Sequence, residues 1–519
     1  MRPTRRTVAT LAACATLPLA ATLLTAALPA QGAAASVTLT LDATAGRHPI
    51  SPLIYGMNWA DETLMTELGT PVDRFGGNAT TRYNWKIDAT NRASDWYFEN
   101  LPEGTPDPST LPNGSIADLF VAKDRRVGAK TIITVPLIGW TPKSRERTCA
   151  FSVAKYGPQT STDQWMPDCG SGVAPDGTNI TGNDPTDTSV RIGPDFVKQW
   201  VKHLKSVYKP AAKGGVAFYN LDNEVDLWQY THRDVHPQAV TKDELVKQTI
   251  AIAKAVKSAD AKAQTVGPVG WGFVSTEASS PLGPQYLQAM AAAEKTTGKR
   301  LLDYYDIHYY PQGTGTTDAQ KLRSTRSLWD PTYTDESWIN QKIAFIPRLK
   351  KLVADNYPGT KTAITEYSWG PFDTVTSGLA QADVLGIFGR EGLDMANLWG
   401  SPAATDPTTF AFRMYRNYDG NGSRFGDVSV AASSSDQDTV AIYAAQRSND
   451  RVVTVMLVNK STSAQQVVVP TSVRRTLRTF TYAGASPSAI KVGTAAASSS
   501  GASLTLPASS ITLVEVPGA

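Results

Sequence analysis

The sequence predicts an α/β fold, a (β/α)8 TIM barrel with an additional all-β sandwich domain. Between residues 51 and 415, eight short apolar runs alternate with stretches of helical periodicity, which is the order of strands and helices in such a barrel. Beyond about residue 427, strand-like runs are separated by Ser, Gly and Asp turns without a helical pattern, as in an antiparallel sandwich. We therefore expect the barrel over residues 51–415 and the sandwich over 416–519.

The eight predicted barrel strands are apolar on both faces, which is typical of parallel strands buried between a barrel interior and its helices. The connection after the first strand is too short for a good helix, so this unit departs from the pattern. The predicted strands cover residues 53–59, 72–78, 131–140, 216–224, 263–271, 305–310, 361–369 and 395–400.

Helical periodicity is clearest in three of the connecting segments. Thr241 and Glu244 open one of them as a capping box. A second repeats apolar residues at helical spacing, at Ile339, Ile343, Ile346, Leu349 and Val353. The third, residues 196–209, places one apolar stripe on a single face, formed by Phe196, Trp200, Leu204 and Val207.

The start of the chain predicts a signal peptide over residues 1–35. Three arginines precede a long apolar run, and Ala33, Ala34 and Ala35 provide small residues for cleavage. A membrane anchor is the alternative, but Pro and Thr interrupt the run and no charged stop-transfer segment follows. The pair Arg5-Arg6 also permits twin-arginine export. We expect a secreted, extracellular protein.

The charge balance indicates which classes of binding partner to expect, and the cysteine content predicts one disulfide. The chain has 50 Lys and Arg against 47 Asp and Glu, and three of the arginines lie in residues 1–35, so the charges balance without the leader. Because no basic run remains, we expect neither a nucleic-acid partner nor a membrane partner. We also expect a monomer. Cys14 lies in the leader. The other two cysteines, Cys149 and Cys169, predict a disulfide, with two free buried thiols as the alternative.

The ends of the sandwich carry two further predictions. Residues 36–50 begin with an alternating apolar pattern, SVTLTLDA, and we expect this N-terminal strand to join the sandwich. The low-complexity segment 494–503 predicts a surface loop. The sandwich strands have Tyr443, Phe480 and Tyr482 as their only aromatic residues, so a role in supporting the barrel is favoured over a separate carbohydrate-binding module.

Polar and aromatic residues follow the predicted strands at their C-terminal ends, where barrel enzymes build their sites. Six of the 12 tryptophans lie at or just beyond these ends, Trp271 among them. A single Trp would favour core packing, but six together favour a polysaccharide cleft, because sugar C–H faces pack on aromatic rings. The candidate substrate-binding residues are Asn58, Trp59, Asn78, Trp140, Trp228, His308, Trp369 and Trp399.

Two glutamates, Glu224 and Glu366, end the fourth and seventh strands and should face each other across the barrel mouth. Such a pair can cleave a glycosidic bond in two steps: one acid donates a proton to the leaving oxygen and the other attacks the anomeric carbon. A separation of about 5 Å predicts retention of configuration and about 6.5–9.5 Å predicts inversion. For each acid alone, a structural ion pair is the alternative. We expect Asn223 to donate to a sugar hydroxyl, Arg74 to pair with ionised Glu366, and Tyr310 to hydrogen-bond Glu366.

These residues resemble a known family. An Asn-Glu at strand four with a Glu at strand seven is the pattern of the large clan of retaining (β/α)8 glycosidases. More narrowly, DRFGGNATTRYNW, LDNEVDLW, THRDVHP, YDIHYYPQ, RSLWDPTYTDESWI and ITEYSWG look like glycoside hydrolase family 44, from about residue 40 to the end of the chain. The resemblance implies a barrel plus a β-sandwich, with Glu224 as acid/base and Glu366 as nucleophile. One departure is Val225, where the clan commonly has Pro.

The resemblance also implies that a structural metal could be present, although catalysis requires no cofactor. The segment NDPTDTS offers Asn183, Asp184 and Asp187 as oxygen ligands for calcium, with a solvated turn as the alternative. His232 and His236 are spaced like a zinc pair, but no Glu lies between them in the required arrangement and no third ligand is evident. We interpret these histidines as loop or cleft residues.

The resemblance thus implies a secreted endo-β-1,4-glucanase or xyloglucanase that acts on plant cell-wall β-glucans. A xylanase or mannanase on the same barrel is one alternative, since tryptophans stack on any sugar. A non-catalytic polysaccharide-binding protein is another, although the presence of both glutamates and Asn223 disfavours it. The chain has no H-E-x-x-H and no G-x-S-x-G motif, which disfavours a metalloprotease or a serine hydrolase.

Overall fold

Eight parallel strands close into a barrel in which each strand pairs with its neighbours along the chain and the last pairs with the first. This confirms the predicted barrel. The structure is a computed structural model that describes residues 37–312, 317–484 and 486–518. The barrel strands are β1 (Gly56–Asn58), β2 (Val72–Phe75), β3 (Lys130–Val135), β4 (Phe218–Leu221), β5 (Gln264–Gly270), β6 (Tyr304–Ile307), β7 (Lys361–Tyr367) and β8 (Met395–Leu398).

Most barrel strands are shorter than predicted. The clearest case is β3, which ends at Val135 because Pro136 cannot donate a ladder hydrogen bond. Trp140, predicted to end this strand, instead begins a separate strand, Trp140–Pro142, which pairs antiparallel with Ser189–Arg191.

The predicted signal peptide lies outside the described residues. Among the helices that the structure does describe, none has both the length and the apolar character needed to cross a membrane.

Helices connect the barrel strands and cover the outside of the barrel. The helices are α1 (Glu62–Leu68), α2 (Ile116–Val127), α3 (Val153–Tyr156), α4 (Pro194–Tyr208), α5 (Trp228–Thr231), α6 (Lys242–Ala259), α7 (Pro284–Thr297), α8 (Asp318–Ser324), α9 (Phe345–Asn356), α10 (Val375–Glu391) and α11 (Pro407–Arg416). The connection after β1, predicted to be too short for a good helix, holds α1. Its seven residues suffice because Asp61 caps the N-terminus and Gly69 closes the C-terminus in the left-handed region.

The predicted apolar stripe of α4 is rotated. Trp200 and Leu204 are buried, but Val207 is 46% exposed. Val197 and Val201 complete the buried face instead, because they lie one turn apart on the side that packs against α6.

The two other predicted helices also differ in detail. Thr241 accepts a hydrogen bond from the Glu244 backbone N–H at 3.2 Å, but the Glu244 carboxylate accepts from His236. The capping box is therefore only half formed in its side-chain contacts. Helix α9 begins at Phe345, so Ile339 and Ile343 are buried in the loop before it.

The second sheet is antiparallel, and its first and last strands lie beside each other, so the sheet folds over its own core. Eight of its strands are β9 (Val428–Ser434), β10 (Val440–Gln446), β11 (Val453–Asn459), β12 (Gln465–Val469), β13 (Thr476–Ala483), β14 (Ser486–Ser498), β15 (Gly501–Leu506) and β16 (Ser510–Val516). Leu39–Asp42 and His48–Pro49 both pair with β9 and join the N-terminal segment to the sheet.

The prediction of a surface loop over residues 494–503 is wrong. Strand β14 continues to Ser498 and β15 begins at Gly501, so the segment forms a tight hairpin. Gly501 has a φ of 111°, which a side chain would disfavour. Ala495 and Ala502 are buried in the sandwich core, whereas Ala496 between them in the hairpin is exposed.

The sandwich packs one face on the barrel. In β10, Val440, Ile442 and Ala444 belong to the sandwich core, whereas Ala441, Tyr443 and Ala445 belong to the core cluster shared with the barrel. The Tyr443 hydroxyl donates to Asp383 of α10 at 2.6 Å. The other two sandwich aromatics also pack on barrel residues: Tyr482 on Phe410, and Phe480 on Tyr418. These contacts fit the supporting role predicted for the sandwich. Because residues 37–519 form one compact unit, the boundaries at 50/51 and 415/416 remain predictions.

A disulfide joins Cys149 to Cys169, as predicted. Cys149 lies in a short strand that extends the antiparallel pair Ala89–Asn91 and Glu99–Pro102. The bridge closes a loop whose ends are 20 residues apart, between β3 and α4. This loop lies on the side of the barrel where the strands end.

Candidate active site

Glu224 and Glu366 come together at the C-terminal mouth of the barrel. Glu366 lies in β7, and Glu224 follows β4. A carboxylate oxygen of Glu224, a carboxylate oxygen of Glu366 and a ring nitrogen of His308 all lie within 4.8 Å of one another. The two carboxylates therefore lie close to each other across the barrel mouth.

Arg74, at the end of β2, binds one of the two glutamates. Its side chain is fully buried, and Nη1 donates to Glu366 Oε1 at 2.7 Å. Nη2 donates to Asn223 Oδ1 at 2.7 Å, and Nη1 also donates to Asn58 Oδ1 at 3.1 Å. Arg74 therefore holds the nucleophile candidate and the residue before the acid candidate in fixed positions.

Tyr310 contacts the same glutamate from the segment after β6. Its hydroxyl donates to Glu366 Oε2 at 3.0 Å. Burial, together with the charges of Glu366 and Glu224, raises the pKa of the Tyr310 phenol above its usual range. The phenol thus keeps its proton at neutral pH and remains a hydrogen-bond donor. The sequence-based expectations for Arg74 and Tyr310 agree with these contacts.

Glu224 has a different environment from Glu366. Burial raises the pKa of Glu224 to about 7, opposed by the charge of Arg74 and assisted by that of Asp95. Its backbone lies in the left-handed region, with φ 42° and ψ 53°, which is uncommon for a residue with a side chain. An acid that keeps its proton near neutral pH is suited to donate a proton in a reaction.

Asn223 and Asn78 form a polar chain beside Glu224. Asn223 Nδ2 donates to Asn78 Oδ1 at 3.1 Å, and Asn78 Nδ2 donates to Asp95 at 3.1 Å. Asn78 is half-buried, as a residue beside a cleft should be. Sequence reasoning missed Asp95, which belongs to no predicted strand end, although it follows the quoted DRFGGNATTRYNW motif closely.

Two of the predicted substrate-binding residues are fully buried. Asn58 donates to the carbonyl oxygens of Thr365 and Leu398 at 2.9 and 3.1 Å, and its own Oδ1 accepts from Arg74. These bonds connect β1 to β7 and β8, so Asn58 shapes the mouth without facing it. His308 likewise has no exposed surface and contacts both glutamates instead.

Only part of the predicted tryptophan rim is open to solvent. Trp59 is 40% and Trp399 36% exposed, and Trp399 lies over Gly77. Trp228 is wholly buried against His236, so the prediction that it borders the cleft is wrong. Trp140 and Trp369 are also buried, so little of either ring is exposed, and their assignment to substrate stays a prediction. The Arg191 guanidinium covers the ring of Trp140, and Trp369 stacks on Tyr309.

The structure adds two tryptophans that sequence reasoning missed. Trp165, in the disulfide-closed loop, is 67% exposed and stacks on Trp96 with ring centroids 5.4 Å apart. Trp96 lines a cavity of about 460 Å³ together with Asp95 and the exposed Tyr230. Through Asp95, this cavity connects to the polar chain beside Glu224. The sequence signal was weak because both tryptophans lie in loops.

The residues predicted to bind calcium have other partners. Both oxygens of Asp187 contact the Lys155 ammonium, at 2.6 and 2.5 Å, and one also accepts from Tyr156. One oxygen of Asp184 accepts from the backbone and hydroxyl of Thr186. Because the Lys155 ammonium contacts both oxygens of Asp187, this arrangement does not fit a calcium site. The predicted calcium ion therefore stays a prediction.

The three side chains at the barrel mouth also do not require an ion. Glu224, His308 and Glu366 are close enough to share one. However, Arg74 already neutralises Glu366, and His308 already contacts Glu224 at 3.0 Å. His232 lies in the turn after α5, which agrees with the loop interpretation, but it is fully buried and burial lowers its pKa well below the usual range, so it does not face the cleft.

The chain is similar to known proteins over most of its length. Endoglucanase A of Paenibacillus lautus is 34% identical over 461 residues, which are 81% of this chain and 63% of that protein. Beta-mannanase/endoglucanase A of Caldicellulosiruptor saccharolyticus is 29% identical over 480 residues, 82% of this chain and 34% of that protein. The chain thus spans less than two thirds of each of these relatives.

Solved structures share the whole architecture. CelM2, a bifunctional glucanase-xylanase from a metagenome library, is 41% identical, with a TM-score of 0.89 over 93% of this chain and 99% of that chain. A Paenibacillus polymyxa xyloglucanase from glycoside hydrolase family 44 is 28% identical, with a TM-score of 0.79 over 93% of this chain and 100% of that chain. The model of glycoside hydrolase family 44 matches residues 89–313. With the resemblance of the site motifs, these matches show that the chain belongs to glycoside hydrolase family 44.

Proposed function

We propose that this protein is a retaining glycoside hydrolase that cleaves β-1,4-glucans, including xyloglucan, within the polysaccharide chain. The observation that carries the proposal is the pair Glu224 and Glu366, whose carboxylate oxygens approach within 4.8 Å at the barrel mouth. That distance leaves room for one carboxylate to attack a sugar while the other handles the proton, but not for an intervening water.

In the first step, an oxygen of Glu366 attacks the anomeric carbon. The bond from that carbon to the leaving oxygen breaks as Glu224 gives its proton to this oxygen, and a glycosyl ester forms on Glu366. In the second step, Glu224, now a carboxylate, takes a proton from water. The water oxygen binds the anomeric carbon, the ester bond breaks, and Glu366 is regenerated as a carboxylate. Two inversions at one carbon retain its configuration.

The neighbouring residues support this chemistry. Arg74 and Tyr310 each donate to a different oxygen of Glu366, which orients the carboxylate and stabilises its charge as it returns. Asn223 uses one amide N–H on Asn78, and we assign its second N–H to the sugar hydroxyl next to the scissile bond. Trp59, Trp399 and the Trp96–Trp165 pair offer stacking faces along the cleft.

The relatives differ in the polysaccharide backbone that their names mention. The relatives are named for glucanase, xyloglucanase, xylanase and mannanase activities, and aromatic faces bind any of these sugars. The second candidate is therefore a glucanase that also cleaves xylan, as the 41% identical CelM2 is described. A non-catalytic polysaccharide-binding protein is the remaining alternative. Secretion and a monomeric state are proposed from the sequence alone.

The test compares the natural chain with Glu224→Gln and Glu366→Gln on tamarind xyloglucan, carboxymethylcellulose, xylan and mannan. Glu62→Gln serves as the control, because Glu62 is a surface glutamate paired with Arg126. We expect both active-site variants to lose activity while they stay folded and the control to keep it, and proton NMR to show β-configured products first. An inactive natural chain that still binds glucan would identify a binding protein, and α-configured products would exclude retention.

A further inference from the structure

The ring of His308 contacts a different partner through each nitrogen. Nδ1 lies 3.0 Å from Glu224 Oε1 and 3.5 Å from Glu366 Oε2. Nε2 lies 3.3 Å from the hydroxyl oxygen of Thr365. The ring is fully buried, so water cannot replace either contact. The protonation of one nitrogen therefore determines what the other can do.

Thr365 is itself held by Asp306. The Thr365 hydroxyl donates to Asp306 Oδ2 at 2.5 Å, and the Thr365 backbone N–H donates to Asp306 Oδ1 at 3.0 Å. Asn220 donates to Asp306 as well, at 3.0 Å. A hydroxyl has a single proton, and Thr365 gives it to Asp306. Toward His308 it can only accept, so the hydrogen in that contact must lie on Nε2.

The other ring nitrogen then has a free lone pair. Burial lowers the pKa of His308, so the ring is neutral near pH 7 and carries its one hydrogen on Nε2. Nδ1 faces Glu224 Oε1 at 3.0 Å, and two bare acceptors at this distance would repel each other. A proton must lie between them, and with a neutral ring it belongs to Glu224.

We propose that Asp306 and Thr365 are positioning residues that fix His308 in its Nε2–H tautomer, so that Nδ1 accepts a hydrogen bond from protonated Glu224. This inference rests on the proposed role of Glu224 as acid. The device keeps Glu224 in its acid form until the leaving oxygen competes for the proton. After cleavage, the proton taken from water restores the same contact, so each turnover ends in the state that begins the next.

The charges around Glu224 come from several strand ends. Arg74 favours its ionised form, whereas Asp95 favours its protonated form. Glu366 faces it from β7, Tyr310 from the segment after β6 and Asp226 from its own loop. Replacing Thr365 or Asp306 removes none of these groups, but an Nδ1–H ring would also face Glu366 Oε2, which lies 3.5 Å from Nδ1.

The first experiment does not need an active enzyme. The chain has five histidines, so ¹⁵N spectra of histidine-labelled protein can be assigned by comparison with His308→Gln. Near pH 7 we expect the His308 ring to be neutral with its hydrogen on Nε2. In Thr365→Val, Nε2 loses its acceptor and we expect a substantial fraction of the Nδ1–H tautomer. An Nδ1–H ring or an imidazolium in the natural chain would overturn the proposal, whatever the protein hydrolyses.

The second experiment is the pH dependence of kcat/KM for Thr365→Val, Thr365→Ser and Asp306→Asn. An Nδ1–H ring donates to the Glu224 carboxylate and so favours its ionised form. In Thr365→Val and Asp306→Asn the alkaline limb should therefore move to lower pH by about one unit. Thr365→Ser keeps the hydroxyl and should restore the limb. Equal loss of activity at all pH values, in variants shown by thermal melting to be folded, would mean that these residues are only structural.

Discussion

The Arg74 guanidinium lies 2.7 Å from the carboxylate of Glu366, and both side chains are buried. The contact gives the two glutamates of the barrel mouth different electrostatic environments. Among the residues that the structure describes, Glu224 forms no ion pair with a Lys or Arg and instead contacts His308, whose pKa is lowered by burial. The difference assigns the nucleophile and the acid within the proposed mechanism.

Replacing Arg74 should reduce both activity and stability. Arg74→Met leaves Glu366 as a buried charge without its cation, which typically costs about 3–5 kcal/mol in the free energy of unfolding. Arg74→Lys keeps the charge but cannot donate to Glu366, Asn223 and Asn58 together, so we expect a smaller loss of stability and still a loss of kcat. Urea denaturation and glucan hydrolysis measure the two effects. A fully stable Arg74→Met variant would show that the pair is not desolvated.

The protonation of Glu224 should be visible in folding stability. Glu224 binds its proton more tightly in the folded state, where its pKa is about 7, than in the unfolded chain, where its pKa is the ordinary 4.5. The free energy of unfolding therefore falls as pH rises through this window. Glu224→Gln removes the effect, so its stability relative to the natural chain should increase from pH 4.5 to pH 8.

The measurement is the melting temperature of both proteins at each pH, with Glu62→Gln as the control. A stability difference between Glu224→Gln and the natural chain that does not change with pH would contradict the raised pKa of Glu224.

The Tyr310 hydroxyl should contribute to kcat and little to folding. Tyr310→Phe removes one donor to Glu366 and keeps the ring. A hydrogen bond to a charged group is worth about 1.5–3 kcal/mol, which corresponds to a loss of roughly 10- to 100-fold in kcat. We expect the melting temperature to change little. If kcat is unchanged in Tyr310→Phe, the hydroxyl does not assist the nucleophile.

The Trp96–Trp165 pair should matter for long substrates only. Trp165→Ala removes an exposed stacking face, and we expect KM for glucan polymers to rise by about 5- to 30-fold, because the apolar area that a Trp ring and a sugar face bury is worth about 1–2 kcal/mol. Cleavage of a short aryl glycoside, which cannot reach the pair, should be unaffected. Val492→Ala removes an exposed apolar side chain of the sandwich and serves as the control. Equal effects of Trp165→Ala on both substrates would indicate a folding role for the loop.

The barrel architecture and the two candidate catalytic acids could be predicted from the amino-acid sequence. Buried parallel strands are local apolar runs bounded by turn residues, so all eight could be found from the chain alone. Because every strand of a closed parallel barrel ends at the same mouth, residues such as Glu224 and Glu366 meet there whatever the details of packing. The disulfide was predictable because Cys149 and Cys169 are the two cysteines outside the predicted signal peptide.

Which aromatic rings are exposed, and how the pKa of Glu224 is shifted, could be seen in the folded structure but not in the sequence. Trp228 begins the short helix α5 and is wholly buried in the core shared by the barrel elements, whereas Trp165 lies in a loop and is 67% exposed. The pKa of Glu224 and the tautomer of His308 likewise depend on burial and on contacts from other strands. Burial and long-range contacts arise only when the chain has folded, and residue type and spacing do not encode them locally.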